Sequence, residues 1–171
     1  GALQSRFDLL ELEAYSTDQL VDILQGMLVE AGFQAANEET LARIARCGRG
    51  TARPMEKIIG QIKMSRSASG DKKKTINRED VLQALLLKRM FPRGLTEHEI
   101  QMLNVCEVPR RDSVISAFIP DMEREAIKRA KGFLMSQEFG EQISAGFVIT
   151  TKGKAYIAQA KKEGFPVEAV R

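Results

Sequence analysis

Arg46-Cys47-Gly48-Arg49-Gly50-Thr51-Ala52-Arg53-Pro54 joins two helical patterns, and its reading decides the fold. Gly48 and Gly50 free the backbone for a sharp turn, Thr51 is a residue type that caps helices, and Pro54 suits an opening turn, where a missing N–H costs little. The turn delivers Arg53 to the first turn of an apolar helix, where an always-charged guanidinium is placed to meet a phosphate. The same pattern also describes a plain joint whose arginines point into water. The surroundings decide between the two.

Toward the amino terminus, Ser16 and Gln19 have capping-box spacing, and Leu20, Ile23, Leu24, Met27 and Leu28 recur at helical intervals as far as Gly32. Asn37 caps a second helix that turns Leu41, Ile44 and Ala45 inward. Before them, Leu9-Leu10-Glu11-Leu12-Glu13 alternates as a half-buried strand would, ending at Tyr15. Toward the carboxyl terminus, Met55, Ile58, Ile59 and Ile62 share a face, Ser65 to Lys74 reads as a basic loop turning at Gly70-Asp71, and Asn77 caps a fourth helix with Val81, Leu82, Leu85 and Leu86 inward. Four short helices with tight joints close as a small bundle over residues 16–90.

Pro92 and Gly94 mark a boundary, after which the pattern changes. Thr96 and Glu99 form another capping box for a brief helix with Ile100 and Leu103. Val114, Ile115 and Phe118 predict a second helix ending at Pro120, and Asp121 is read as the cap of a third running to about Lys131. Gly132-Phe133-Leu134-Met135 and Gly146 to Thr150 then read as two strands around an acidic turn, Gln137 to Gln142, before a helix over Thr151 to Lys162. Three helices followed by a hairpin is the order of a winged helix-turn-helix, expected over residues 91–171. The fold class is therefore mainly α: a four-helix bundle, then a winged helix with a short β-hairpin wing.

Composition excludes several classes. With 171 residues, 43% hydrophobic content, no Trp and a net charge of +3, the chain has no membrane-spanning run and no export signal, so a cytoplasmic protein is expected. Cys47 and Cys106 are too few and too far apart for a disulfide framework or a zinc site, so buried reduced thiols and no metal are expected. Gly70-Asp71-Lys72-Lys73-Lys74-Thr75 echoes a phosphate loop, but its spacing is wrong and no hydrophobic strand precedes it. His98, the sole histidine, lies among acidic residues on a surface-type helix, and no nucleophile-base pair is evident. The chain has no nucleotide-hydrolysing machinery of its own.

Ser5-Arg6-Phe7, Leu10-Glu11-Leu12, Tyr15-Ser16-Thr17 and Arg49-Gly50-Thr51-Ala52-Arg53 together resemble the back half of an AAA+ ATPase, with most likeness to the RuvB family of Holliday-junction branch-migration motors. In order of elements the resemblance covers most of the chain; it is specific through residue 89 and weaker after residue 95. It implies that residues 1–15 end the large nucleotide-binding domain and connect to a helical lid over 16–90. It further implies that Arg53, with Thr51 and Pro54 beside it, is the sensor 2 arginine touching nucleotide, and that Arg6 lies where the intersubunit arginine finger resides. Gln4 stands where the family has a further arginine, so the identity of the finger stays open; Ala52 replaces the family's proline. The implied cofactor of the intact protein is ATP with magnesium, and the implied partners are DNA, further copies of the chain in a ring, and a junction-binding protein. The chain is then a fragment, inactive as an ATPase alone, of a DNA helicase or translocase.

Candidate DNA contacts come from the third winged-helix helix, where Arg124, Lys128 and Lys131 share one face with Arg129 alongside. Glu123 and Glu125 flank them, so a solvated helix with internal ion pairs is an equal reading. Lys152 and Lys154 follow the second strand, while Arg110 and Arg111 precede the middle helix. The expected wing turn, Gln137 to Gln142, holds two glutamates and no basic residue, although family members present arginines there. Two alternatives therefore stand beside the motor: the lid and winged-helix module of an AAA+ replication initiator or loader, and a winged helix used for protein docking.

Overall fold

Side-chain caps set most of the helix starts. The computed structural model describes residues 13–168; the segment holding Arg6 and, except for Glu13, the run expected over Leu9–Glu13 lie outside them. Helix α1 (Thr17–Glu30) opens on the Ser16/Gln19 capping box and buries Leu20, Leu24 and Leu28. Asn37 accepts the Thr40 N–H at 2.9 Å and starts α2 (Glu38–Arg46). Next come α3 (Arg53–Ser69) and α4 (Arg78–Leu87), the latter opened by a capping box between Asn77 and Asp80.

The loop expected over 65–74 is shorter than its polarity suggested. Helix α3 runs on to Ser69 because Arg66 is turned inward, donating to the carbonyls of Lys73 and Thr75 and to the Asp80 carboxylate at 2.7 Å. Gly70, at φ +69, then ends the helix in the left-handed conformation that favours glycine. The pinned loop leads into β2 (Thr75–Ile76), which pairs in parallel with β1 (Gln34–Ala35). Two residues per strand leave no periodicity to read, so nothing in the sequence announces this pairing.

After a tight turn at Pro92–Gly94, α5 (Glu97–Val105) opens on the Thr96/Glu99 box, followed by α6 (Asp112–Phe118). Helix α7 spans Arg124–Ser136, which corrects two expectations. Its N-cap is Glu123 rather than Asp121. Residues 132–135 continue the helix because Leu134 completes a buried stripe with Ile127 and Ala130, a 3.6-residue period that a four-residue window disguises as a strand.

The hairpin accordingly begins later. Strand β3 (Gly140–Ile143) pairs antiparallel with β4 (Gly146–Ile149), from Gly140 opposite Ile149 to Ile143 opposite Gly146, so the turn is Ser144-Ala145 rather than residues 137–142. Gly140 is required there, since a Cβ would lie 2.1 Å from the Phe147 ring. Arg110 extends the sheet by exchanging backbone hydrogen bonds with Phe147 at 2.9 and 2.8 Å. Helix α8 (Thr151–Lys162) closes the chain, with Thr150 as its cap. The fold is thus a helical bundle followed by a winged helix, and one apolar core runs through both from Leu20 to Val167. No described helix is long and apolar enough to cross a membrane.

Candidate functional site

The turn between α2 and α3 is built so that Arg49 and Arg53 do different things. A Cβ on Gly48 would lie 2.7 Å from the Thr51 carbonyl, and one on Gly50, at φ +81, would strike the Ala14 methyl at 2.6 Å. Thr51 does not cap α3: its hydroxyl donates to the Gly48 carbonyl at 3.2 Å and closes the turn instead. The N-cap is Ala52, which has no side-chain acceptor, and Pro54 occupies the opening turn as expected. No side chain caps the start of α3: Pro54 has no N–H, the Met55 N–H donates to the Ala52 carbonyl at 3.0 Å, and Arg53 stands exposed there with no side-chain hydrogen bond or ion pair among the described residues.

Arg49 points the other way. Held at φ 51, it forms a two-pronged ion pair with Glu99, Nη1 to Oε2 at 3.0 Å and Nη2 to Oε1 at 2.9 Å, and donates to the Gly94 carbonyl at 3.3 Å. Its guanidinium carbon lies 3.4 Å from the centre of the Phe133 ring. The Glu99 side chain is 5% exposed and that of Arg49 28%, so this fork-to-fork pair is largely out of water. Glu99 also accepts the Thr96 N–H, so one carboxylate both starts α5 and grips the α2–α3 turn. In the sequence Arg49 stands out only as one member of a motif. Its partner is fifty residues away, and no local spacing announces the pair.

A second tie joins the same parts. Glu163, just beyond α8, receives Arg78 at 2.7 Å and Arg43 at 3.4 Å. Burial alone would raise its pKa, but the Gln159 amide and the two guanidinium groups outweigh that and hold its carboxyl below the ordinary range. The Tyr156 hydroxyl donates to the Pro92 carbonyl at 2.6 Å, and the Phe91 and Phe165 rings meet at 5.7 Å.

On α7, Arg124, Lys128 and Arg129 are exposed. Lys131 differs: its side chain is 15% exposed and its ammonium is 2.8 Å from Asp112 on α6, so it braces two helices. Lys152 pairs with Glu138, while Lys154 is exposed with no partner among the described residues. Between Gly140 and Ile149 there is no basic residue, and Glu141 is exposed. Arg111 is exposed before α6, and the Arg110 guanidinium sits 5.5 Å from the Phe118 ring.

The remaining candidates for chemistry are quiet. Burial pushes the Cys47 thiol up to about 11 and the Cys106 thiol up to about 12, which leaves both poor nucleophiles. His98 is exposed. Among the described residues, no group of three or more His, Cys, Asp and Glu side chains could hold a metal ion.

No protein-family model and no curated protein matches the chain. Solved structures do. Thermotoga maritima RuvB, described as a Holliday junction branch migration motor, superposes with a TM-score of 0.70 at 20% identity, covering 91% of this chain and 53% of its own. Two single-substitution mutants of the same protein give TM-scores of 0.70 and 0.71 with the same identity and coverage. The chain thus spans about half the length of the structures it matches. At that identity the likeness is one of fold, and in fold this chain resembles RuvB across nine-tenths of its own length.

Proposed function

We propose that this chain is the lid and winged-helix portion of a RuvB-like AAA+ DNA motor, the lid occupying residues 16–90 and the winged helix 91–171. The observation that carries the reading is the contrast within one turn: Arg53 has no partner among the described residues at an uncapped helix start, while Arg49, four residues earlier, is bolted to α5 and α7. In the intact protein, ATP with magnesium would be held mainly by a large domain, and the chemistry it supplies is phosphoryl transfer. Arg53 brings a charged fork toward the phosphates at the positive end of α3. Thr51 and Pro54 shape the turn that presents it. Arg6, outside the described residues, is proposed as the finger completing a neighbouring subunit's site in a homo-oligomeric ring.

Movement of the lid then reaches the DNA-facing helix through Arg49, because the turn carrying Arg53 cannot shift without pulling on Glu99 and Phe133. The exposed face of Arg124, Lys128 and Arg129, extended by Lys154, supplies phosphate contacts, with Lys131 and Lys152 reinforcing the local field from within ion pairs. A second reading, that the wing docks on protein such as the junction-binding partner of a motor of this kind, is favoured by one feature. The hairpin tip is acidic and apolar, with Glu141 exposed and Ile143 40% exposed.

The test is Arg53→Ala in the intact protein. Because Arg53 has no side-chain hydrogen bond or ion pair among the described residues, the variant should keep its melting temperature while ATP hydrolysis falls tenfold or more. Wild-type nucleotide affinity together with wild-type hydrolysis would overturn the sensor assignment.

A further inference from the structure

A cleft of about 320 Å³ lies where α2, the Pro92–Gly94 turn and α8 meet, and it includes neither Arg53 nor the α7 face. Arg43, Arg46, Arg93 and Lys152 line it, against two carboxylates, Glu39 and Glu163. Both carboxylates are already occupied: Arg43 contacts Glu39 at 3.5 Å and Glu163 at 3.4 Å, and Arg78 approaches Glu163 from outside the cleft. Lys152 is held by Glu138. That leaves Arg46 and Arg93 as the two arginines at this cleft with no hydrogen-bonded or ionic partner among the described residues, Arg46 standing also at the edge of a second hollow beside the α2–α3 turn.

Arg93 is also held in place at some cost. Its backbone sits at φ 62 and ψ 16, a left-handed conformation unfavourable for a residue with a side chain. The turn that carries it is fixed on both sides, by the Tyr156 hydroxyl on the Pro92 carbonyl and by Gly94, where a Cβ would come within 2.6 Å of the Cys47 carbonyl. The guanidinium lies 5.4 Å from the buried Phe139 ring, which in turn stacks on Tyr156 at 4.6 Å. An apolar wall of this kind weakens solvent screening on one side and leaves the N–H edges open on the other. Two arginines with unused donors over a low-dielectric wall are arranged to bind a tetrahedral oxyanion through several charge-assisted hydrogen bonds.

We propose that this cleft is a phosphate-binding site, with Arg46 and Arg93 as its ligands. The shared chemistry is a phosphoryl group, from either a nucleic-acid backbone or a small phosphorylated molecule. The proposal goes beyond the motor reading and would stand if Arg53 touched no nucleotide.

The experiment uses the whole chain and the double variant Arg46→Gln with Arg93→Gly, the second change being one that the left-handed backbone tolerates. Lys63→Gln, an exposed change on α3 away from the cleft, serves as the charge-removing variant with the cleft intact. Sodium pyrophosphate is titrated by calorimetry, and labelled duplex and single-stranded oligonucleotides are titrated across a salt series. If the source is a small molecule, pyrophosphate binds the wild type and Lys63→Gln saturably, and the double variant at least tenfold more weakly. If the source is nucleic acid, the double variant loses roughly 2 from the slope of log affinity against log salt on duplex, and somewhat less on a single strand. Either result supports the site. Equal pyrophosphate binding and equal salt slopes for the wild type and a folded double variant would overturn it, whatever Arg53→Ala does.

Discussion

Replacing Arg49 with alanine tests the tie between the helical bundle and the winged helix most directly. The change strands the Glu99 carboxylate, 5% exposed, with the Thr96 N–H as its remaining donor in the structure. Breaking a well-buried pair from one side costs about 3–5 kcal/mol, and the 28% exposure of the Arg49 side chain puts this one at the lower end, about 3 kcal/mol. For a chain of this size that is a fall of roughly 6–12 °C in melting temperature. Glu99→Ala should cost less, about 2 kcal/mol, because the abandoned guanidinium keeps a route to water. The double variant should fall short of the sum by about 1.5 kcal/mol or more, as contacting groups do.

Arg49→Gly separates backbone from side chain: at φ 51 glycine removes roughly 1 kcal/mol of left-handed strain, so it should be milder than Arg49→Ala by about that amount. Urea unfolding followed by circular dichroism measures all four variants. Single effects that add within about 0.5 kcal/mol, or an Arg49→Ala loss below about 1 kcal/mol, would refute the idea that this pair holds the two parts together.

Three further outcomes rest on the same geometry. Gly94→Ala, with φ +73 and a Cβ 2.6 Å from the Cys47 carbonyl, should lower stability by about 2–3 kcal/mol, whereas Gly26→Ala, inside α1 with open space around it, should raise it by about 1 kcal/mol; urea midpoints distinguish the two. Glu163, with its folded pKa held below the ordinary 4.5, contributes stability that is fully present above that value and is lost as the pH falls through the lower folded value. The melting-temperature advantage of wild type over Glu163→Gln should therefore be constant from about pH 7 to 5 and shrink in stronger acid. Cys47 and Cys106, buried and raised to about 11 and 12, should resist a thiol reagent at about pH 8 in the folded chain and react quickly in denaturant.

What was legible in the sequence was local. Ser16 with Gln19, Asn37, Asn77 and Thr96 with Glu99 each act within three residues of themselves, and all four open helices where expected. The order of helices and hairpin was legible for the same reason, since each apolar stripe declares its own period. The wing was misplaced because residues 132–135 are a fragment of a helical stripe too short to show its periodicity, and because Glu138, at φ 60, ends α7 without a glycine. The β1–β2 pairing and the inward turn of Arg66 depend on partners met only after folding. For the candidate site, Arg53 was placed at an exposed helix start by the Gly48–Gly50 turn, whereas the different task of Arg49 rests on Glu99 and Phe133 in another part of the chain. Lys131 shows the converse, since a helical face groups it with Arg124 and Lys128, but Asp112 claims it.

The distribution of charge across the seam at Pro92–Gly94 has a consequence for the chain in two pieces. Arg43, Arg49 and Arg78 lie before the seam, and the carboxylates they grip, Glu99 and Glu163, lie after it. Cut there, Arg43 and Arg78 would keep only Glu39 and Glu79 as counter-ions, Arg49 would lose its carboxylate, and Glu99 and Glu163 would keep only neutral donors, the Thr96 N–H and the Gln159 amide. Each piece would then be an electrostatic ligand for the other. Neither piece carries a net negative charge, so the attraction acts between the paired groups at short range, within roughly one Debye length, and concentrated salt weakens it.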